Sequence, residues 1–378
     1  MNKKLLIFSL ALFTSISMFA QWGGPPPPVS PEIHADNTVT FRLRAPYANN
    51  VYVQGDFMQG RQAMTQDENG VWSFTTPVLP SEMYNYSFVV DGLQMYDPSN
   101  FRRNHFFILG GQADYYVIQD DIPRGSVTHR WYYSPQLGMN RRVTIYTPPS
   151  YETSGNRYPV LYLLHGIGGN EDSWINDLRT AQILDNLIAR GKAQPMIVVM
   201  PNGNVAQQSV RTEQQEGFYT PSTDWPPPHT MDGRFEETFM DIINFVDASL
   251  RTIPEKSGRA IAGLSMGGFH TMHISRFHPN TFDYIGVFSG AGIGPVDASS
   301  IVYQDIEGGL RRQMENGFQL YWLAMERDSF QNEGNLRFLA KLGEMGFPYS
   351  YHWAYGGHTP RNWRAYLVLF VQMLFQQR

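Results

Sequence analysis

The chain has 378 residues, 42% hydrophobic and 17% charged, a length and balance that fit about two folded domains and argue against disorder beyond the ends. A net charge of -5, with no Lys/Arg-rich run, excludes the basic excess that binding to a phosphate backbone requires. The absence of cysteine removes disulfides, thiol nucleophiles and a lipid-modified cysteine together.

Residues 1–20, MNKKLLIFSLALFTSISMFA, carry Lys3 and Lys4, an apolar run from Leu5 to Phe13 and a small-residue site ending at Ala20. That is the layout of a secretory signal cleaved before Gln21, too short for a membrane anchor, and it predicts a soluble protein, secreted or periplasmic. Residues 21–31, QWGGPPPPVSP, read as an extended Pro/Gly linker. From 32 to 120 the period is two. Val39, Phe41 and Leu43 alternate with Thr40, Arg42 and Arg44, while Tyr84, Tyr86, Phe88 and Val90 share one face. Turn signals at Glu68-Asn69-Gly70 and Asp91-Gly92 divide these runs as in a small immunoglobulin-like β-sandwich.

From 121 onward strands alternate with helices. Outer strands are expected at Val127–Ser134 and Arg142–Tyr146, and solid apolar strands, of the kind buried on both faces, at Val160–Leu164 and Met196–Met200. Helical spacing covers Trp174 to Arg190 and Phe235 to Leu250. A strand then runs into Ile261-Ala262-Gly263-Leu264, with a helix after Ser265. Strands follow at Tyr284–Phe288, Leu320–Met325 and Tyr349–Ala354, with a helix at Glu333–Met345 and a closing helix after the last strand to Arg378. The predicted fold is α/β, an eight-stranded and mostly parallel sheet of the α/β-hydrolase kind.

IAGLSMGGF contains Gly-x-Ser-x-Gly, a motif that gains weight from the strand before it and the helix after it. On such an elbow Ser265 Oγ stands at the carboxyl edge of the sheet as a nucleophile. Among ten histidines, His358 follows Gly356-Gly357 just after the last strand and comes last in the order nucleophile, acid, histidine. His270, His273 and His278 lie on the helix after Ser265 and read as packing or surface residues, as does His165 in its glycine-rich turn. The acid should sit past a strand end between Ser265 and His358. Asp328 meets that condition, and Glu326, two residues earlier and inside the strand's reach, is the reserve. His165-Gly166-Ile167-Gly168-Gly169 ends a strand, so the amides of Ile167 and Met266 are the expected oxyanion pair. Trp225, in the long 205–233 segment, is a candidate substrate contact. No metal motif, Walker loop or dinucleotide fingerprint is present, which leaves acyl transfer without a cofactor.

YPVLYLLHGIGG, VVMPNGN, RAIAGLSMGG and the final GGH with Trp363-Arg364, in that order over residues 122–378, resemble carbohydrate esterase family 1. That family includes feruloyl and acetyl xylan esterases, S-formylglutathione hydrolase and mycolyl transferases. The resemblance carries its serine, acid and histidine onto Ser265, Asp328 and His358. Two positions depart from the pattern: Met325 stands where the family has glycine, and His358-Thr359-Pro360 replaces His-Asp-Trp. APYANNVYVQGDF, GVWSFTT and YNYSFVVDG are similar to starch- and glycogen-type carbohydrate-binding modules. Together the resemblances imply a secreted serine esterase acting on feruloyl or acetyl groups of plant cell-wall xylan. The alternatives are a siderophore esterase and a catalytically silent carbohydrate-binding protein.

Overall fold

The structure, a computed structural model, describes residues 26–102, 104–214, 228–295 and 298–376. The chain divides into two compact units, Met1–Pro80 with Tyr84–Phe106, and Ser81–Met83 with Phe107–Arg378. The predicted signal and the start of the linker lie outside the described residues.

The first unit is built from two antiparallel sheets. One orders Glu32–Ile33, Val39–Arg44, Val71–Thr75 and Thr65–Gln66; the other orders Arg61–Ala63, Val51–Gly55, Glu82–Val90 and Leu93–Met95, with His105–Ile108 also pairing on Glu82–Val90. The period-two residues meet between them, where Phe41 of one sheet packs on Tyr86 and Phe106 of the other at ring separations of 4.6 and 5.6 Å. Stretches of alternating polarity thus bury one face, as the sequence pattern requires.

The second unit holds eight strands: β1 (Ser126–Ser134), β2 (Met139–Thr147), β3 (Val160–Leu164), β4 (Ile197–Pro201), β5 (Arg259–Leu264), β6 (Tyr284–Phe288), β7 (Leu320–Glu326) and β8 (Ser350–Ala354). Their order is β1-β2-β4-β3-β5-β6-β7-β8. The β1–β2 and β2–β4 pairs are antiparallel and every other neighbouring pair is parallel, so the sheet is mixed but mostly parallel. The helices used below are α1 (Thr180–Ala189), α2 (Phe239–Ser249), α3 (Met266–Phe277), α4 (Ile306–Asn316), α5 (Asn332–Glu344) and α6 (Pro360–Val371).

All five residues of β3 and all five of β4 are buried, because helices cover both faces. Leu161 and Leu163 of β3 face a core shared with Leu184 and Leu187 of α1 and Phe370 of α6. Val160 and Tyr162 face the opposite core with Ile242 and Val246 of α2 and Ile274 of α3. Burying one such side chain contributes about 1.5–3 kcal/mol, which explains why these strands show no polar alternation.

Three boundaries differ from expectation. The helix expected over Trp174 to Arg190 is interrupted: a single turn spans Ser173–Asn176, Arg179 takes φ 63°, and α1 starts at Thr180. Arg179 is held there by its Nε, which donates to the Tyr116 carbonyl. The last helix stops at Val371. Residues 107–120, expected to close the sandwich, belong instead to the second unit. Tyr116 is fully buried in its core, and Asn186 Nδ2 donates to the Tyr115 and Val117 carbonyls.

Helix α6 follows directly on His358, so its anchoring sets the position of that residue. Fully buried Arg364 donates through Nη2 to Glu82 Oε1 and to the Met83 carbonyl, both at 2.9 Å, and lies over the Tyr116 ring. Removing one partner of a buried ion pair strands the other charge at a cost of about 3–5 kcal/mol. Glu82→Ala should therefore lower the unfolding free energy by that amount in urea denaturation; unchanged stability would show that Arg364 is not anchored by this carboxylate.

Candidate functional site

Strand β5 ends at Leu264, Ser265 takes φ 53° and ψ −119°, and α3 begins at Met266. This backbone, costly for a residue with a side chain, is pinned by Ser265 N–H donating to the Phe288 carbonyl of β6 at 2.8 Å. The flanking glycines have a steric origin. A Cβ on Gly263 would lie 2.4 Å from the Gly267 carbonyl oxygen, and one on Gly267 would lie 2.3 Å from that of Leu164. Helix α3 can start this close to the end of β3 only if both positions lack side chains.

Ser265 Oγ lies 2.9 Å from His358 Nε2, although the two residues are 93 apart in sequence. His358 arrives on the Gly356-Gly357 turn after β8, and its ring meets Trp363 and Phe330 edge-on at centroid separations of 5.0 and 5.2 Å.

The structure shifts the carboxylate beside this imidazole from the expected position. Both oxygens of Asp328 are taken by backbone, Oδ2 by the Gly356 amide at 2.9 Å and Oδ1 by the Gly357 amide at 3.0 Å. Those two donors hold the exposed Asp328 carboxyl below the usual carboxylate range. The reserve residue, Glu326, is the last residue of β7 and is fully buried, with Oε2 3.9 Å from His358 Nδ1. Its other oxygen, Oε1, accepts from Tyr366 Oη at 3.0 Å and from Ser289 Oγ, and Ser289 Oγ in turn accepts from Trp363 Nε1 at 3.2 Å. Glu326 Oε2 and His358 Nδ1 are both buried without another partner. The two atoms face one another across that 3.9 Å separation.

Ser289, Tyr366 and Phe330 were not singled out by sequence reasoning, and Trp363 entered it only as part of a resemblance motif. Ser289 carries a signal only in the structure, where it stands at φ 51° just past β6 and is completely buried.

The His165–Gly169 turn lies against the elbow: a Cβ on Gly166 would come within 3.4 Å of Ser265 Cβ. Ile167 packs on a cluster containing Met231, Met266 and Phe269. Met266 opens α3, so its amide is one of the helix-terminal N–H groups without an intrahelical acceptor. His165 fastens the turn. Nδ1 pairs with the Gly166 carbonyl at 2.7 Å and Nε2 accepts from the Gly203 amide at 2.8 Å, a pattern only the neutral Nδ1–H tautomer satisfies. Of the other histidines, His270 pairs with buried Glu236 at 2.8 Å and His273 with Arg276, both inside the α3 packing. Trp225 lies outside the described residues.

A mixed sheet flanked by helices, with a serine on a strained strand-to-helix elbow and a histidine on the loop after the last strand, defines an α/β-hydrolase fold. The chain belongs to the family described as "Putative esterase", whose profile matches residues 134–373. It is 32% identical over 366 residues to a protein of Xylanibacter ruminicola named endo-1,4-beta-xylanase/feruloyl esterase, covering 92% of this chain and 46% of that one. The chain thus spans about half the length of that relative. Among solved structures it resembles a ferulic acid esterase from Anaeromyces mucronatus, with TM-score 0.54, 20% identity and coverage of 69% and 94%. It also resembles the enterobactin esterase of Shigella flexneri, with TM-score 0.59, 17% identity and coverage of 89% and 92%. At these identities the two structures speak to fold.

Burial pushes the His165 imidazole down from 6.5 to about 4. With the folded pKa depressed, the neutral ring's contribution is fully present above pH 6.5 and is lost as the pH falls toward 4, where the unfolded chain alone takes up the proton. The shift corresponds to about 3 kcal/mol. Urea denaturation at pH 7 and pH 4.5 should show stability falling with acid, and His165→Asn should flatten part of that fall; parallel pH profiles for the two proteins would contradict the latch.

Proposed function

We propose that the chain is a secreted or periplasmic carboxylic ester hydrolase that removes feruloyl groups from plant cell-wall xylan by way of an acyl-enzyme, without a cofactor. The single observation carrying the chemistry is the 2.9 Å contact between Ser265 Oγ and His358 Nε2 on a strained elbow. The name of the Xylanibacter ruminicola relative supports the feruloyl substrate class. The signal-like residues 1–20 support export.

In this reading Ser265 Oγ attacks the ester carbonyl carbon while His358 Nε2 takes its proton. Negative charge developing on the carbonyl oxygen is met by the amides of Ile167 and Met266. The imidazolium is balanced by Glu326, whose free oxygen faces Nδ1. Collapse of the tetrahedral intermediate breaks the bond to the sugar oxygen, which leaves with the proton from His358. Water, giving a proton to the same imidazole, then attacks the acyl-serine carbonyl; collapse of that intermediate breaks the acyl–Ser265 Oγ bond, the imidazolium returns the proton to Ser265 Oγ, and ferulate is released. Asp328 has a positioning role: by holding the Gly356 and Gly357 amides it fixes the loop that delivers His358.

Ser265→Ala should abolish hydrolysis of methyl ferulate without changing the thermal unfolding midpoint, and retained turnover would sink the assignment. Glu326→Gln should lower kcat by about 10⁴-fold, the scale seen when a triad carboxylate is neutralised. Asp328→Asn should have a far smaller effect, because an amide oxygen still accepts from one glycine amide. The reverse ranking of these two variants would return the acid role to Asp328. Likeness to the enterobactin esterase over 89% of this chain keeps a catecholate trilactone as the second substrate to try. Its cleavage in preference to methyl ferulate would favour that reading.

A further inference from the structure

Strand β8 is the last in the sheet order, so one long side has no neighbouring strand. Within β8, period two puts Tyr351 and Trp353 on one face, while His352 points to the other, beside Trp322; Tyr349 and Tyr355 stand just before and just after the strand. The Tyr349 and Tyr351 rings are 6.2 Å apart and those of Tyr351 and Trp353 6.3 Å, with the Arg327 guanidinium 4.7 Å above Trp353. Tyr349 and Trp353 are partly packed against the core, but Tyr351 is 55% exposed and Tyr355 72% exposed. Two glycines beyond Tyr355 stands His358. Next to it Phe330, 82% exposed, completes the row at the mouth of the site.

The exposed rings of Tyr351 and Tyr355 lead along the chain toward the reacting histidine, the exposed Phe330 ring lies against it, and large apolar groups left in water call for a partner. We propose that this row is a binding track for the sugar chain that carries the scissile ester. The exposed rings of Tyr351, Tyr355 and Phe330 suit the apolar faces of pyranoses, and the tyrosine hydroxyls suit their polar edges. An uncharged chain asks for no ionic complement, and Arg327 is the one charged group over the row's rings among the described contacts. The track rests on the esterase reading for its direction, because the polymer must present its ester to Ser265 while its backbone lies along β8. Phe330, between the two, then contacts the sugar bearing the ester.

The test compares Tyr351→Ala/Tyr355→Ala with the unaltered protein on feruloylated arabinoxylan and on methyl ferulate, after checking that the thermal midpoints agree. The ratio of kcat/KM on polymer to that on the small ester should drop about tenfold, as expected for losing two aromatic contacts. An unchanged ratio overturns the track. A second readout is independent of turnover: Ser265→Ala should be retarded in gels containing de-esterified xylan, and adding the two tyrosine changes should remove the retardation. If neither ester is hydrolysed but retardation is lost, the track stands and the esterase reading fails. If the tyrosine changes dissolve a dimer and leave both readouts untouched, the row belongs to a second copy of the chain and the proposal is wrong.

Discussion

The active region depends on one steric constraint, the absence of side chains where the start of α3 meets the end of β3. Any Cβ at Gly267 would press on the Leu164 and His165 carbonyls, and any Cβ at Gly263 on the Gly267 carbonyl. Because nothing intervenes, Ser265 is squeezed into φ 53° and tied to β6 through the Phe288 carbonyl. Its hydroxyl then stands proud of the sheet edge instead of continuing either the strand or the helix. The same crossing brings Gly166 of the His165–Gly169 turn against Ser265, so the proposed nucleophile and the proposed anion-stabilising donors would be set together. Rigid placement of this kind supplies much of a hydrolase's advantage, since the donors need not reorganise as charge appears.

A second layer is electrostatic. Glu326 is wholly buried at the end of β7, where an ionised carboxylate is costly unless its lone pairs are met. Tyr366 and Ser289 satisfy one oxygen and leave the other turned to His358 Nδ1. In the proposed mechanism Nδ1 carries the proton of the neutral ring and faces Glu326 throughout, and the attraction between them grows when Nε2 takes the serine proton. On that reading the carboxylate favours the imidazolium over the neutral ring. The ring edges of Trp363 and Phe330 confine the imidazole laterally, and the Asp328 clasp on Gly356 and Gly357 fixes its backbone.

Most of the fold was legible because its signals are local. Apolar runs such as Val160–Leu164 can only be strands covered on both faces, and the Gly-x-Ser-x-Gly spacing with a strand before and a helix after points to Ser265. His358 followed from chain order. Which of Glu326 and Asp328 faces His358 was not legible, because it turns on which residue ends β7 and which way that side chain points, a difference of two positions decided by tertiary packing. The interruption at Arg179 depends on a carbonyl 63 residues away, at Tyr116, which no periodicity reveals. The same holds for residues 107–120, whose aromatic residues look like more sandwich until their partners, Asn186 and Arg364, are seen.

The central claim is covalent chemistry at Ser265 assisted by a histidine that a buried glutamate supports. Its most direct test is to mix the enzyme with methyl ferulate, quench in acid within the first turnovers, and map the digested protein by mass spectrometry. The account predicts one added feruloyl group on the peptide containing Ser265, and no such adduct in Ser265→Ala. Steady turnover with no acyl adduct at any quench time, or an adduct on a different residue, would contradict it.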